Sequence, residues 1–271
     1  LLSMRPMVVT VHDLTFQLFP SVHELIKRYY FPAMIKAAVN KAKYVLAISE
    51  STRNDLHRLL PISRGKTVVT LLAARRFSSK MPQALIPGHG ESCGYRYVLF
   101  VGTVEPRKNL ERLITAWRSI APYDRSGAKL VIAGATGWFV DNMLRQFAAD
   151  DAIIFKGFVQ DNELAELMCG ATAFVYPSLY EGFGLPVLEA MAHGIPVLTS
   201  NVGATREVAD GAALLVDPES IPSIREGLLR LLKDDALRVQ LSRLGLERVS
   251  TFSWERTAAE ALAVIESAAV L

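Results

Sequence analysis

The chain has 271 residues, a formal net charge of +3, two cysteines and 51% apolar residues. That length holds two modest domains or one large one, and the composition is that of a globular chain. Mild basicity without an aromatic-and-basic ribbon does not argue for a nucleic-acid binder and only tolerates an anionic membrane surface; no apolar run approaches a membrane span, and no segment reads as a signal peptide.

Cys93 and Cys169 have neither metal-ligand nor disulfide spacing. The expectation is a reduced compartment, the cytoplasm or the cytoplasmic face of a membrane, with one loop thiol and one core thiol. Met7 to Val11 is a continuous apolar run, as in a parallel strand covered on both faces. Leu1-Leu2-Ser3 leads into it almost at once, and a chain that starts inside a core strand reads as a piece of a longer one. His12 and Asp13 follow at the strand's carboxyl end, where ligands of open α/β sheets sit. A His there is as often structural as chemical.

Residues 24–42 read as an amphipathic helix with Tyr29, Tyr30, Phe31 and Met34 crowding one side and a kink or break at Pro32. A strand over 44–48 and a helix over 49–60, capped by Ser49 or Ser51, come next. Ser49 and Arg53 read as plain helix-start residues in preference to acceptor contacts. With a strand over 67–72, the β-α-β-α-β order implies parallel pairing.

Residues 75–96 are polar, carry Pro and Gly, and lack periodicity; they read as an interdomain linker in which Arg75 and Arg76 are solvated. A second series of strands then begins over 97–102. Gly102 permits a tight turn into Thr103-Val104-Glu105-Pro106-Arg107-Lys108, and a helix runs on through Ile120. Two cations beside a helix N-terminus suit a pyrophosphate, and a solvated basic turn is the alternative for Arg107. A strand over 129–134, a helix over 138–149, a strand over 153–158 and a helix from Asp161, its cap, to Cys169 follow.

The central stretch is Ser178 to Ala204. The run Ala173 to Pro177 suits a buried strand ending at a turn. Glu181-Gly182-Phe183-Gly184 is a glycine-spaced loop, and Leu185-Pro186 opens a helix through Ala192. The first N–H groups of such a helix have no internal partner, and the dipole is positive there, so phosphate or a polar sugar can bind. Gly182 and Gly184 let the backbone approach a ligand. Glu181 in the loop can reach sugar hydroxyls, and Glu189, about two turns into the helix, can accept both hydroxyls of a ribose. The spacing of those two carboxylates alone is equally that of surface residues; the intervening Gly-Phe-Gly-Leu-Pro on a strand–loop–helix frame favours a site. Strands over 195–199 and 212–216, a glycine-led helix after Asn201, and helices over 218–232 and 234–249 complete the series. A last helix starts at Ser253 as cap, with Trp254 packing.

EGFGLPVLEAMAHGIPVLTS resembles the donor-site signature of the retaining nucleotide-sugar glycosyltransferases of GT-B fold, of the family-four kind. The resemblance implies α/β architecture with two Rossmann-like domains facing a cleft, the N-terminal one incomplete: residues 1–74, the linker 75–96, a donor domain over 97–252, and a helix over 253–271 crossing back. It implies that Glu181 contacts the donor sugar, that the loop amides of Gly182, Phe183, Gly184 and Leu185 contact sugar and phosphate, and that Glu189 holds the ribose. His12 matches a family His facing the donor sugar, and Lys108 a Lys that binds donor phosphate. Gly157, Phe158 and Val159 match a segment meeting the base through its backbone. Many members carry Arg directly after the glycine equivalent to Gly102; here Thr103 stands there, which leaves open whether Arg107 supplies the second charge.

The implied reaction moves a hexose, mannose by preference, from a nucleotide diphosphate sugar such as GDP-mannose to a saccharide or lipid-linked saccharide. No cofactor is implied. The chain contains no Asp-x-Asp, so side-chain cations and helix dipoles are expected to carry the diphosphate charge without a metal. No third carboxylate offers itself as a covalent nucleophile, and the resemblance implies front-face substitution. A sugar-nucleotide epimerase of the same fold and a donor-binding fragment without transfer activity are the alternatives.

Overall fold

The computed structural model describes residues 6–20, 25–75, 94–137, 147 and 150–270. Two parallel sheets organise them, each over its own hydrophobic core.

The first sheet is β1 (Val8–Val11), β2 (Tyr44–Ala47) and β3 (Thr67–Val69), paired in that order and parallel throughout. Its core gathers Val11, Leu14, Val39, Val45, Ala47 and Leu56. The short helix α1 (Thr15–Leu18) follows β1, and Asp13 Oδ1 accepts the Thr15 N–H at 3.0 Å. Helix α2 (Leu25–Lys41) runs unbroken through Pro32, where a kink or break is expected from sequence. Tyr29, Tyr30, Phe31 and Met34 are exposed and do not face the core. Helix α3 (Glu50–Leu59) is capped by Ser49, whose Oγ accepts the Thr52 N–H at 2.9 Å.

The second sheet contains β4 (Tyr97–Val101), β5 (Lys129–Ala133), β6 (Ile153–Gly157), β7 (Ala173–Tyr176), β8 (Val197–Ser200) and β9 (Leu214–Val216), in the order β6-β5-β4-β7-β8-β9. This is the doubly wound dinucleotide-binding order, with its reversal between β4 and β7. Helices α4 (Leu110–Arg118), α5 (Pro122–Arg125), α6 (Asp161–Gly170), α7 (Leu185–Ala192), α8 (Gly203–Ala209), α9 (Ile221–Lys233) and α10 (Asp235–Val249) belong to it. β4, β5, β7 and β8 are buried almost end to end, as strands covered on both faces must be. The helix expected over 138–149 lies outside the described residues except at Phe147, which is buried.

Several local expectations are corrected. Asp161 is the first helical residue of α6 and not its cap; Gln160 takes that position without a side-chain bond. Cys169 is exposed, so the expected core thiol is a surface thiol; Cys93 lies outside the described residues. Arg75 is half-exposed, as a solvated residue would be, and is also ion-paired, as described below; Arg76 lies outside the described residues. Trp254 is 41% exposed and donates from Nε1 to the Ala74 carbonyl at 3.1 Å.

Helix α11 (Trp254–Ala269) is capped by Ser253 and leaves the second sheet for the first, packing over β1 and β2. Thr257 Oγ1 donates to the Leu71 carbonyl at 2.6 Å, and Lys43 Nζ donates to the Ala268 and Val270 carbonyls at the far end. A lysine on the last carbonyls of a helix satisfies acceptors that the helix itself leaves open.

Candidate active site

The reversal of strand order brings together the loops after β4 and β7. After β4 the chain passes Gly102 and Thr103, makes a 3-10 turn over Pro106–Lys108, and starts α4 through Asn109. The helix thus begins at Leu110, two residues beyond Lys108, and not at the two cations. Asn109 sits at φ 63, a conformation asparagine tolerates better than most residues. Its Nδ2 donates to the Pro177 carbonyl at 2.9 Å and to the Pro218 carbonyl at 2.6 Å. The Leu179 N–H and Ser178 Oγ both reach the Arg107 carbonyl, at 2.9 and 3.1 Å. The two loops are therefore one hydrogen-bonded body.

Within it, Lys108 Nζ lies 2.8 Å from Glu181 Oε1, and Arg107 Nη1 lies 2.7 Å from Glu181 Oε2. Ser178 Oγ and Tyr176 OH also donate to Oε1, at 2.7 and 3.0 Å, and Lys108 Nζ donates to Tyr176 OH at 2.5 Å. Arg107 also bonds Glu105 at 2.5 Å and the Tyr180 carbonyl at 2.7 Å. Arg107 is therefore no solvated turn residue. Lys108 and Glu181 are 8% and 9% exposed, so the cluster is largely withdrawn from water.

Burial is the strongest single influence on Glu181 and favours its neutral form; Lys108 and Arg107 together outweigh it and hold the carboxyl below the usual carboxylate range. Burial lowers Lys108 from the ordinary lysine value, Glu181 opposes that shift, and Arg107 adds to it. Burial and Glu181 keep the Tyr176 phenol protonated. Two carboxylates, Glu105 and Glu181, balance two cations, so the cluster has no net charge with all four groups ionised.

Helix α7 opens directly after this loop. Gly184 takes φ 110 at its N-cap, a conformation that a side chain would strain. Pro186 has no N–H to offer, and the Val187 N–H bonds back to the Gly184 carbonyl at 3.0 Å. Among the described residues the N–H groups of Gly184 and Leu185 donate to no protein acceptor. Phe183 turns its ring into the core, edge-on to Phe252 at 5.9 Å, so only its backbone faces outward chemistry.

Glu189 is buried one helical stretch further on, and Arg75 Nε reaches its Oε1 at 2.6 Å. Arg75 Nη1 reaches Asp161 Oδ1 at 3.3 Å. Asp161 follows closely on Gly157, Phe158 and Val159 at the end of β6, where Phe158 is 71% exposed and Gly157 is open on its Cβ side. Arg75 thereby ties the segment proposed from sequence for the base to the carboxylate proposed for the ribose.

His12 is exposed at the end of β1, and its carbonyl faces the donor-side loop. A Cβ on Gly182 would stand 1.9 Å from His12 O, so only glycine fits there. The structure thus gathers His12, Arg107, Lys108, Glu181, Gly182 and Gly184 at one place, with Glu189 and the 157–159 segment beside it. Gly102 and Thr103 stand on the β4 loop, and Thr103 is exposed, with no charged partner among the described residues. Sequence reasoning missed Glu105, Asn109, Tyr176, Ser178 and Arg75. Tyr176 is the last residue of an apolar run and reads as core; its hydroxyl, five residues before Glu181, is the signal that was available.

Among the described residues no cluster of His, Cys, Asp or Glu could hold a metal ion, and no helix is long and apolar enough to cross a membrane.

Comparison with known proteins places this arrangement. The structure superimposes on sucrose-phosphate synthase from Thermosynechococcus elongatus with a TM-score of 0.76 at 25% identity, covering 96% of this chain and 67% of that one. It superimposes on WaaG, described as a glycosyltransferase involved in lipopolysaccharide biosynthesis, with a TM-score of 0.73 at 17% identity, covering 96% and 75%. The fold is GT-B, as expected from the sequence. A model of the glycosyl transferases group 1 matches residues 83–248, and one of glycosyltransferase family 4 matches residues 1–70. The chain belongs to the glycosyl transferases group 1, with an N-terminal part of the family-four kind. It is 33% identical over 254 residues to the O-antigen chain mannosyltransferase B of Escherichia coli, and 29% identical over 222 residues to the O-antigen chain mannosyltransferase RfbU of Salmonella typhimurium. These matches cover 92% and 80% of this chain and 67% and 58% of those relatives, so the chain spans about three fifths to two thirds of their length.

Proposed function

We propose that the protein transfers mannose, with retention, from a nucleotide diphosphate sugar to a saccharide of a growing surface polysaccharide. The observation that carries this reading is the Arg107–Lys108–Glu181 cluster at the reversal of strand order, beside the free amides that open α7. Two cations and a helix N-terminus converge where a diphosphate would lie. In this reading Glu189, further along the same helix, holds the ribose, and Glu181 and His12 face the sugar. The names of the two mannosyltransferase relatives support the choice of sugar.

In the reaction, the bond from the anomeric carbon to the diphosphate oxygen breaks. The acceptor oxygen bonds to the same carbon on the same face, and its proton passes to the leaving phosphate. Negative charge grows on that phosphate, and Lys108 and Arg107 are positioned to receive it with no metal ion. GDP-mannose is the preferred donor.

A membrane-held acceptor fits one further feature. Tyr29, Tyr30, Phe31 and Met34 project from α2, Phe16 stacks on Phe31 at 4.4 Å, and Arg28 lies over the Tyr29 ring at 5.8 Å. Aromatic side chains with basic neighbours suit the anionic face of a bilayer.

The test is release of nucleoside diphosphate from a panel of sugar nucleotides, with and without a mannose-bearing acceptor, in the presence of EDTA. Acceptor-dependent release of GDP from GDP-mannose is the expected result. Conversion of the sugar nucleotide without transfer, or full inhibition by EDTA, overturns the reading.

A further inference from the structure

The two units meet at the start of α3. Ser49 Oγ donates to the Gly182 carbonyl at 2.6 Å, and Thr52 Oγ1 donates to the same oxygen at 3.1 Å. From the other side, Glu207 on α8 lays its carboxylate on the same helix end: Oε1 accepts the Glu50 N–H at 2.9 Å and Oε2 the Ser51 N–H at 3.0 Å. A carboxylate on the free amides of a helix N-terminus meets both unpaired donors and the positive end of the dipole.

Helix α8 is held firmly enough to transmit that contact. Arg248 donates to the Glu207 and Val208 carbonyls at 2.9 and 3.0 Å and pairs with Asp210. Thr205 on α8 packs against Gly184, where a Cβ would meet its Cγ2 at 3.3 Å. Glu207 therefore reaches out of the donor-side body that also contains the Glu181 loop, and grips the acceptor-side unit next to the point where Gly182 presses on His12.

We propose that Glu207 is a positioning residue for transfer: its carboxylate clasps the N-terminus of α3 and sets the donor loop against the acceptor-side unit in the reacting arrangement. The proposal rests on the transferase reading above. Glu207 touches neither Lys108 nor Glu189, so nucleotide binding within the donor-side body does not depend on it. Only the register between the bodies does, and misplacing reacting groups by about 1 Å can cost on the order of 10²-fold in rate.

The experiment compares native protein, Glu207→Gln and Glu207→Ala in single-turnover transfer at saturating donor, and measures nucleoside diphosphate affinity by calorimetry. We expect Glu207→Ala to lose about tenfold or more in rate, the scale of one hydrogen bond to a charged group, with affinity within about threefold of native. Glu207→Gln keeps acceptor oxygen but no charge and falls between. A native rate in Glu207→Ala, or an affinity loss equal to the rate loss, overturns the proposal. Small-angle scattering of the nucleotide-bound proteins supplies a readout that needs no turnover: the Glu207→Ala protein should have a larger radius of gyration than native, and equal radii overturn the clasp. Should native protein transfer nothing, the functional reading falls and the scattering comparison still decides the clasp.

Discussion

Lys108 and Glu181 are 73 residues apart in sequence and 2.8 Å apart in space, and both are buried. The pair spans the two loops on either side of the strand-order reversal. A diphosphate arriving there competes with Glu181 for Lys108 and Arg107. Glu181→Gln keeps the size and most hydrogen bonds but removes the competing charge. Nucleoside diphosphate should then bind roughly tenfold more tightly, the scale of one charged hydrogen bond, while transfer falls. Unchanged or weaker binding, measured by calorimetry, would show that the cations do not meet the diphosphate.

Lys108→Ala leaves Glu181 paired with Arg107, so the fold should persist. Loss of one preorganised contact to the leaving group typically costs about 10²–10³ in rate, and we expect that loss in single-turnover transfer at saturating donor. Arg107→Ala should cost stability as well, because it releases Glu105, Glu181 and the Tyr180 carbonyl together.

The protonation of Lys108 gives a pH dependence of known sign. Burial depresses its value in the free protein. A bound phosphate favours the charged form and raises it again. Between the two values binding takes up a proton, so affinity falls as pH rises, starting below the ordinary lysine range. Calorimetry in two buffers of different ionisation enthalpy counts that proton; a count of zero throughout the alkaline range would remove Lys108 from the phosphate.

Glu189 has a buried carboxylate and a half-exposed partner in Arg75. Glu189→Ala frees an arginine that water can solvate, so the cost to stability should be small. The cost to nucleotide affinity should be about 1.5–3 kcal/mol if the ribose uses this carboxylate. Calorimetry on the folded variant checks it.

Gly182→Ala places a methyl group where His12 O already stands. The loop and β1 must separate, and transfer should fall by about 10²-fold if reacting groups move by an ångström. Nucleoside diphosphate affinity, set within the donor-side body, should hold.

Strands and loop motifs were legible because they are local. The strand expected over 97–102 and the buried strand expected over 173–177 are there as β4 and β7, and the glycine-spaced loop before α7 announced itself by composition. Partners were not legible. Nothing in the residues around Arg75 says that it turns back onto Glu189, and nothing around Glu207 says that it crosses to α3; both contacts depend on how two separately folded bodies meet. For Tyr29 to Met34 the sequence left the direction of the face open, for a related reason. Their apolar character marks a face, but not whether that face is turned to the core or away from it.

Helix α11 has a consequence for the order in which the chain can become native. Residues 254–270 lie over β1 and β2, and Lys43 is tied to their last carbonyls. During synthesis, at about 5–20 residues per second, the first sheet emerges early but its cover emerges last. For the time needed to make some two hundred residues, that sheet keeps an apolar face without its native cover. The second sheet waits only for α9 and α10, which follow directly on its last strand. The nascent chain should therefore acquire protease resistance in the reverse of its sequence order, with the later-made unit settling before the earlier one is closed.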